Sequence, residues 1–482
     1  MQIKRSSGVL MHISTLWGDY SCGTFGREAL EFIDFLKKGG FSYWQVLPFC
    51  RPDEFASPYK SLSAFGGNPY FISLEELMRK GLITKDELDA AKQKTPYSCE
   101  FDRLSRERLS LLRRAAGRVS PDLREKTEKF IAEDKYLEQV CMFMALRKAN
   151  DEKEWQEWTV KVPDADELFF CEFLEYEFFT QWKKVKDYAE KNGIKIIGDV
   201  PIYVSSDSAD VWANKDQFLL DERNRPTAVA GVPPDYFSKD GQLWGNPLYD
   251  WDAMKKDGYA WWRARMKRMF SLFDGVRIDH FRGLESFWSV PADAKTAREG
   301  KWVKGPGKDF IDAIKADMDE KKNFVIAEDL GDITEDVTKL VDYSGFPGMR
   351  VFQFAFLGGD NPHMPHNYVN NCIAYSGTHD NNTLLGYVWE QNEGERREML
   401  DYIGYTDKNW DACYPTIIKT LYRSSAGLVI MPIQDILGYG SDTRLNTPGK
   451  AEGNWLYRIT KEQLSGVDIS RYKRYSELYK RI

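Results

Sequence analysis

Eight short apolar segments, separated by helical patterns or long connections, constrain the fold of this 482-residue chain more than any other feature. They have the length of strands and occupy residues 8–14, 42–49, 194–204, 275–283, 323–330, 349–356, 372–380 and 427–437. Strands that alternate with helices form a parallel sheet, and near-continuous apolar strands fit a sheet that is covered on both faces. Eight repeats predict a closed (β/α)₈ TIM barrel, with a doubly wound open sheet as the alternative.

Two stretches interrupt this alternation. Residues 75–170 are charge-rich with helical patterns, and residues 205–256 are rich in Asp, Gly, Pro and Asn with few long apolar runs. We interpret both as insertions between barrel elements. The prediction is therefore a single catalytic barrel domain over residues 1–482, with a helical insertion subdomain at 75–170 and a loop-rich insertion subdomain at 205–256 at the active-site rim.

The composition restricts the partners and the compartment. The formal net charge of −7 argues against a nucleic-acid or anionic-membrane partner, because both select a positively charged surface. Seven scattered cysteines without a CxxC pair are typical of reduced thiols in a cytoplasmic protein. No signal peptide and no run of about 18 apolar residues is evident. We expect a cytoplasmic protein with no nucleic-acid or membrane partner; nothing in the sequence indicates its oligomeric state.

Four of the predicted strands end in an acid. These residues are Asp199 in "IIGDVPIYV", Asp279 in "GVRIDHFRG", Glu328 in "FVIAEDLG" and Asp380 in "SGTHDNNT". Active sites of TIM barrels lie at the carboxyl ends of the strands, so the four acids are expected at one rim. Together they favour acid/base or glycosyl chemistry. The alternative is that they cap loops and helices.

Arg277 and Asp279 are expected to share one face of their strand, because side chains alternate along a strand. A guanidinium beside a carboxylate favours the ionised form, which a nucleophile requires. Retaining glycosidases combine such a nucleophile with a second, protonated acid roughly 5–5.5 Å away. The alternative for this pair is a plain buried ion pair.

Metal and nucleotide chemistry find little support. The chain has only five histidines, with no HxH or HExxH motif, and neighbouring residues in the "DH" and "HD" pairs diverge on a strand. It also lacks a GxGxxG motif and a P-loop. We therefore predict no metal and no cofactor.

Long motifs in these regions resemble a known family. The four acid-containing segments resemble the four signature regions of the α-amylase clan. Three further segments are similar to the amylomaltase family, the 4-α-glucanotransferases or disproportionating enzymes: "ASPYKSLSAFGGNPYFI" (56–72), "GVPPDYFSKDGQLWGNPLYDW" (231–251) and "RLNTPGKAEGNW" (444–455). The resemblance covers almost the whole chain. It implies a (β/α)₈ barrel with insertions and no C-terminal β-sandwich.

The resemblance implies a role for each central residue. Asp279 would be the nucleophile, Glu328 the general acid/base, and Asp380 would stabilise the oxocarbenium-like transition state by holding sugar hydroxyls. Arg277 would orient Asp279 and keep it ionised.

The same resemblance implies a donor-glucose site. Tyr59 would stack on the glucose, and His280 and His379 would donate or accept hydrogen bonds with it. Asp199 would support Arg277 and the donor site.

The resemblance also implies an acceptor site, formed by two loops on opposite sides. The rings of Tyr236, Phe237 and Trp244 would stack on sugars and exclude water. A loop carrying Asn446 would close over the site.

The resemblance implies a 4-α-glucanotransferase acting on maltooligosaccharides, starch or glycogen. It would transfer an α-1,4-glucan segment to the 4-hydroxyl of an acceptor with retention, through a covalent glucosyl-Asp279 intermediate. Two alternatives are an α-glucan hydrolase of the same clan and a non-catalytic glucan-binding protein.

Overall fold

The computed structural model describes residues 3–52, 55–234, 239–359 and 361–482. Its strands, numbered along the chain, are β1 (Ser6–Leu10), β2 (Tyr43–Gln45), β3 (Lys195–Val200), β4 (Ala228–Val232), β5 (Gln242–Pro247), β6 (Gly275–Ile278), β7 (Ser286–Pro291), β8 (Lys301–Lys304), β9 (Phe324–Ala327), β10 (Gly348–Val351), β11 (Cys372–Tyr375) and β12 (Leu428–Pro432). Eight of them are parallel and close a barrel in the order β1-β2-β3-β6-β9-β10-β11-β12. Each predicted segment supplies one barrel strand, so the (β/α)₈ fold is confirmed.

Strand β9 shows why the segments are almost continuously apolar. Phe324 and Ile326 join a buried cluster formed mostly by residues of the barrel strands, which fills the barrel interior. Val325 and Ala327 point to the other face and belong to the larger core between strands and helices. Because successive side chains alternate between two buried faces, every position of the strand is apolar.

The helices surround the barrel and build its insertions. They are α1 (Arg27–Lys38), α2 (Leu74–Arg79), α3 (Lys85–Ala90), α4 (Phe101–Arg103), α5 (Leu109–Ala116), α6 (Pro121–Ala132), α7 (Lys135–Ala149), α8 (Ala165–Lys191), α9 (Ala209–Ala213), α10 (Trp251–Lys256), α11 (Ala260–Leu272), α12 (Gly307–Asp317), α13 (Glu335–Ser344), α14 (Leu384–Glu390), α15 (Glu393–Ile403), α16 (Tyr414–Arg423), α17 (Ile433–Leu437), α18 (Lys461–Ser465) and α19 (Ile469–Leu478). After β12 the described chain contains helices α17–α19 and no further named strand. None of the described helices has both the length and the apolar character needed to cross a lipid bilayer.

Helix α8 links the first insertion to the barrel. The Asp164 carboxylate accepts hydrogen bonds from two backbone N–H groups in its first turn, which is the usual way to satisfy a helix N-terminus. Gly193 follows its end with φ of +75°, a conformation that favours glycine. Helices α5, α6 and α7 pack against α8, so this helix serves both the barrel wall and the insertion.

A second, antiparallel sheet lies outside the barrel in the order β5-β4-β7-β8. Residues 205–256, which composition predicted to be loop-rich, contribute only β4 and β5 to it. The other two strands come from residues 286–304, beyond barrel strand β6. The composition of a segment does not reveal which distant segment it pairs with. Strand pairing uses backbone N–H and C=O groups, which do not depend on the side-chain type.

Candidate active site

The carboxyl ends of the barrel strands bring four acids to one rim. Asp199 lies within β3, Asp279 and Glu328 directly follow β6 and β9, and Asp380 lies in the loop after β11. A cavity of about 410 Å³ opens there, and its walls include Asp279 and Asp380. This is the end of a barrel at which active sites form, because the loops of all eight strands converge on it.

Arg277 joins two of these acids. Its Nη1 donates to Asp199 Oδ2 over 2.6 Å, and its Nη2 donates to Asp279 Oδ1 over 2.7 Å. Asp199 and Arg277 are neighbours in the β3–β6 register. Arg277 and Asp199 are buried, whereas the Asp279 side chain is 30% exposed and reachable from the cavity. The arginine therefore holds a fixed positive charge beside an accessible carboxylate.

Glu328 occupies a different environment. Its Oε2 accepts the backbone N–H of His280 over 2.6 Å, and its Oε1 accepts that of Leu330 over 2.9 Å. Burial raises the pKa of Glu328 to about 7; Arg277 and the two N–H donors oppose this effect, and the negative charge of Asp279 reinforces it. A carboxyl group with this pKa exists in both protonation states near neutrality, which suits proton transfer.

His280 makes the turn that supplies one of these donors. Its φ of +52° is in the left-handed region, which is uncommon for a residue other than glycine. Burial lowers the pKa of its imidazole to about 4, so the ring is neutral near pH 7. Its ring meets the Trp244 ring edge to face, with 4.9 Å between centroids.

The Tyr59 and His379 rings are stacked in the cavity wall. Their centroids are 4.9 Å apart with an interplanar angle of 15°. The Tyr59 hydroxyl donates to Asp199 Oδ2 over 2.7 Å. The acid that pairs with Arg277 thus also fixes the direction of the Tyr59 ring.

Asp380 is held from two sides. Its Oδ1 accepts a hydrogen bond from the Asn446 side-chain amide over 2.6 Å, and its Oδ2 lies 3.3 Å from His379 Nε2. Arg444 donates to the Asp380 backbone carbonyl over 2.6 Å. The loop carrying Asn446 therefore meets the loop after β11 at the cavity.

Of the three rings predicted for the acceptor side, Trp244 lies in the cavity wall. Tyr236 and Phe237 lie outside the described residues. Within the described ranges, no three His, Cys, Asp or Glu side chains form a group that could hold a metal ion.

Another cavity, of about 400 Å³, lies away from the strand ends. It is lined by residues of α5, α7 and α8 and by the loop containing Gly66 and Gly67. Glu175 is the buried acid in its wall and accepts the Gly67 N–H over 2.8 Å. The four acids of the barrel rim are absent from its lining, so this second cavity lacks the constellation described above.

Comparison with known proteins decides the family. Residues 11–464 match the family model described as 4-alpha-glucanotransferase. The chain belongs to the 4-alpha-glucanotransferase family. It is 41% identical to the 4-alpha-glucanotransferase of Clostridium butyricum, covering 98% of this chain and all of that protein. It is 40% identical to that of Thermus thermophilus, with complete coverage of both chains.

Solved structures agree with this membership. The structure is similar to the amylomaltase from Streptococcus agalactiae in complex with acarbose, with a TM-score of 0.95, 36% identity, and coverage of 99% of this chain and 100% of that one. The amylomaltase from Corynebacterium glutamicum shares the fold with a TM-score of 0.82 at 18% identity, over 99% of this chain and 75% of that one. The predicted family and the predicted activity, 4-alpha-glucanotransferase, are confirmed.

Sequence reasoning did not single out several cavity-lining residues of this glucanotransferase. Gln242 and Asn246 lie two positions on either side of Trp244 on β5, and all three line the cavity. Trp455 lines it as well and lies near both stacked rings. The alternation of "QLWGN" was the available signal for the β5 residues, since positions i, i+2 and i+4 share a strand face. Trp455 ends the family-like motif "RLNTPGKAEGNW", but that motif did not indicate that its ring reaches the cavity, because this depends on a contact between distant loops.

Proposed function

We propose that this enzyme transfers α-1,4-glucan segments by a retaining double displacement in which Asp279 is the nucleophile and Glu328 the general acid/base. One observation carries the proposal: a partly exposed carboxylate paired with a buried arginine lies at the same barrel rim as a buried glutamate whose pKa is raised to about 7. Two carboxyl groups in such different environments divide the two roles of a retaining mechanism.

In the first displacement, protonated Glu328 gives its proton to the glycosidic oxygen. The Asp279 carboxylate attacks the anomeric carbon as the bond to that oxygen breaks. The donor's reducing-end segment leaves as an alcohol, and a covalent β-glucosyl-Asp279 ester remains. Arg277 keeps Asp279 aimed at the anomeric carbon through the 2.7 Å hydrogen bond.

In the second displacement, ionised Glu328 takes the proton of the 4-hydroxyl of an acceptor glucan or glucose. The resulting oxygen attacks the anomeric carbon, the bond to Asp279 breaks, and a new α-1,4 linkage forms. Two inversions give net retention. Glu328 returns to its protonated form, so the cycle closes without a cofactor.

The donor glucose would rest against Tyr59, whose ring is fixed by Asp199 and by the stack on His379. Asp380, held by Asn446, would accept hydrogen bonds from sugar hydroxyls and strengthen them as the ring flattens toward the transition state. His379 and His280 would add hydrogen bonds to the same sugar.

Transfer requires that a sugar reach the intermediate before water does. Trp244 lies in the cavity wall against His280, and its ring would stack on the acceptor. The same role is proposed for Tyr236 and Phe237, which lie outside the described residues, on the family resemblance alone. Replacing both by Ala is expected to raise hydrolysis relative to transfer; an unchanged ratio of the two products would remove these residues from the acceptor site.

We propose the domain organisation that the sequence predicts. Residues 75–170 form a helical insertion subdomain, and residues 205–256 form an insertion subdomain at the active-site rim, on one catalytic barrel domain. Strand β5, with Gln242, Trp244 and Asn246 on the cavity, supports the location of the second insertion at the active-site rim.

Maltotriose tests the proposed reaction. Incubation without metal or nucleotide should yield glucose and a ladder of longer maltooligosaccharides, separated by chain length. Asp279→Asn and Glu328→Gln should each lose the ladder. Glucose and maltose alone would make the protein a hydrolase, and unchanged maltotriose together with measurable glucan binding would favour the non-catalytic alternative. Acarbose, which is bound in the structure of the Streptococcus agalactiae amylomaltase, should compete with maltotriose if it occupies the same site in this enzyme.

A further inference from the structure

Trp455 adopts a backbone conformation that a bulky side chain rarely takes. Its φ is +66°, in the left-handed region. Such a conformation costs free energy in a non-glycine residue and persists where the surroundings force it, often at functional sites. Two backbone hydrogen bonds and the packing of the ring hold Trp455 in this conformation.

The backbone around Trp455 is tied on both sides. Its N–H donates to the Leu445 carbonyl over 2.6 Å, which closes the loop that carries Asn446. The next carbonyl, that of Leu456, accepts the N–H of Cys99 over 2.7 Å. Cys99 lies just before helix α4, so the helical insertion holds the end of this loop.

The ring of Trp455 points at the proposed donor site. Its centroid lies 6.0 Å from that of Tyr59 and 5.8 Å from that of His379, tilted by 37° and 34°. Its other neighbours are apolar: Leu47 and Ala56 belong to the same cluster, and Phe101 of α4 packs against it. Trp455 itself is only 6% exposed.

The contacts form one continuous path. The insertion holds the backbone of Leu456, directly after Trp455. The Trp455 ring contacts Tyr59 and His379, and Tyr59 donates to the acid that pairs with Arg277. Tyr59 and His379 come from loops that follow different strands, and Trp455 comes from a third loop. A third ring that contacts both members of a stacked pair limits the ways in which the pair can tilt.

We propose that Trp455 is a positioning residue of the transfer reaction: it holds the Tyr59 and His379 rings in the orientation that receives the donor glucose, and the helical insertion at 75–170 acts on catalysis through it. This inference rests on the donor site proposed above. It assigns to the insertion a role in aligning the site, in addition to any role in folding.

A double-mutant cycle on Trp455 and Tyr59 tests this. Trp455→Asn removes the ring but keeps a residue that tolerates the left-handed conformation, and Trp455→Phe keeps a ring. Trp455→Asn is expected to lower kcat/KM for maltotriose about 10-fold or more, with the KM for acceptor glucose unchanged, and Trp455→Phe to recover most of the loss. Because Trp455 acts by holding the Tyr59–His379 stack, which Tyr59→Leu already breaks, Trp455→Asn in a Tyr59→Leu background should cost no more than about 2-fold further.

If the decreases in kcat/KM of the two single variants multiply in the double variant, the inference is wrong, because Trp455 would then act independently of Tyr59. An unchanged kcat/KM in Trp455→Asn would overturn it as well. Trp389→Asn is the matched control, because Trp389 is 45% exposed and its indole bonds Asp411 away from the cavity. Melting temperatures of all variants separate misfolding from misalignment. Failure of the proposed function is recognised differently: the unaltered protein would then form no maltooligosaccharide ladder.

Discussion

Two buried glutamates, Glu328 at the barrel rim and Glu175 among the insertion helices, have similar burial, similar backbone hydrogen bonds and a similar pKa. Each accepts at least one backbone N–H. Burial raises the pKa of each carboxyl group to about 7. Glu175 also lines a cavity of about 400 Å³, close in size to the cavity at the rim.

The two glutamates differ in the charged groups that surround them. Glu328 accepts the N–H of His280, which follows β6, and lies near the positive charge of Arg277 and the carboxylate of Asp279. Glu175 accepts the Gly67 N–H and forms no ion pair within the described residues; the charge of Arg268 only opposes the rise of its pKa. A cavity and a raised pKa therefore identify a glutamate as a candidate catalytic residue. A second carboxylate nearby, able to act as the nucleophile, identifies the active site.

The largest expected effect comes from removing that partner. Asp279→Asn keeps the shape of the side chain and abolishes the nucleophile, so kcat for maltotriose disproportionation should fall by at least about 10³-fold. Product ladders resolved by chain length provide the measurement. A variant that retained a tenth of the activity would mean that another carboxylate forms the intermediate.

Glu328→Gln and Glu175→Gln apply the same substitution to the two glutamates and so compare their roles in catalysis directly. We expect about 10²–10⁴-fold loss of kcat/KM in the first, because the general acid is gone, and less than about 3-fold in the second, because glutamine still accepts the Gly67 N–H. An α-glucosyl fluoride, whose leaving group needs no proton, should recover the glycosylation step of Glu328→Gln. Equal losses in both variants would contradict the assignment.

The pH dependence sharpens the same contrast. The first displacement needs protonated Glu328, so kcat/KM should decline on the alkaline side with an apparent pKa near 7, the value to which burial raises the pKa of Glu328. Above that point the rate should fall about 10-fold per pH unit. Glu175→Gln should leave this limb in place. A limb that moved in Glu175→Gln would show that the other glutamate governs it.

A smaller effect is expected from the group that holds Asp380. Asn446→Ala removes the 2.6 Å hydrogen bond to Asp380 Oδ1, and a hydrogen bond to a charged group is worth roughly 1.5–3 kcal/mol. We expect a decrease of roughly 10- to 100-fold in kcat/KM for the donor. Asn446→Asp, which places a second negative charge beside Asp380, should be worse than Asn446→Ala; the reverse order would mean that the amide acts on something other than this carboxylate.

Glu175 should be visible in stability instead of activity. Below about pH 4, both the folded and the unfolded chain carry its proton; between there and about pH 7 only the folded protein does, because burial raises the pKa of Glu175 to about 7. Its contribution to stability is thus full at low pH and is lost as the pH rises through 7. Glu175→Gln, which does not titrate, should gain roughly 3 kcal/mol relative to the parent between pH 4 and pH 8. Denaturant titrations at both pH values measure this, and a constant difference would refute it.

Local patterns were sufficient for the barrel and for its acids. Strand segments buried on two faces must be apolar throughout, so all eight were visible as runs in the sequence, and the acid at or near a strand end, as with Asp279 and Glu328, followed from that placement. The pairing of Arg277 with Asp279 followed from alternation on one strand.

Contacts between distant segments were decided by the tertiary structure alone. The β5-β4-β7-β8 sheet joins residues on either side of barrel strand β6, and Tyr59 reaches Asp199 across 140 positions of sequence. The raised pKa of Glu328 depends on how deeply the folded chain buries it, and the support of Tyr59 and His379 by Trp455 depends on three loops meeting. The apolar pattern of a strand is set by the order of residues along the chain. Contacts between loops, and the burial of a carboxyl group, exist only once the barrel has closed.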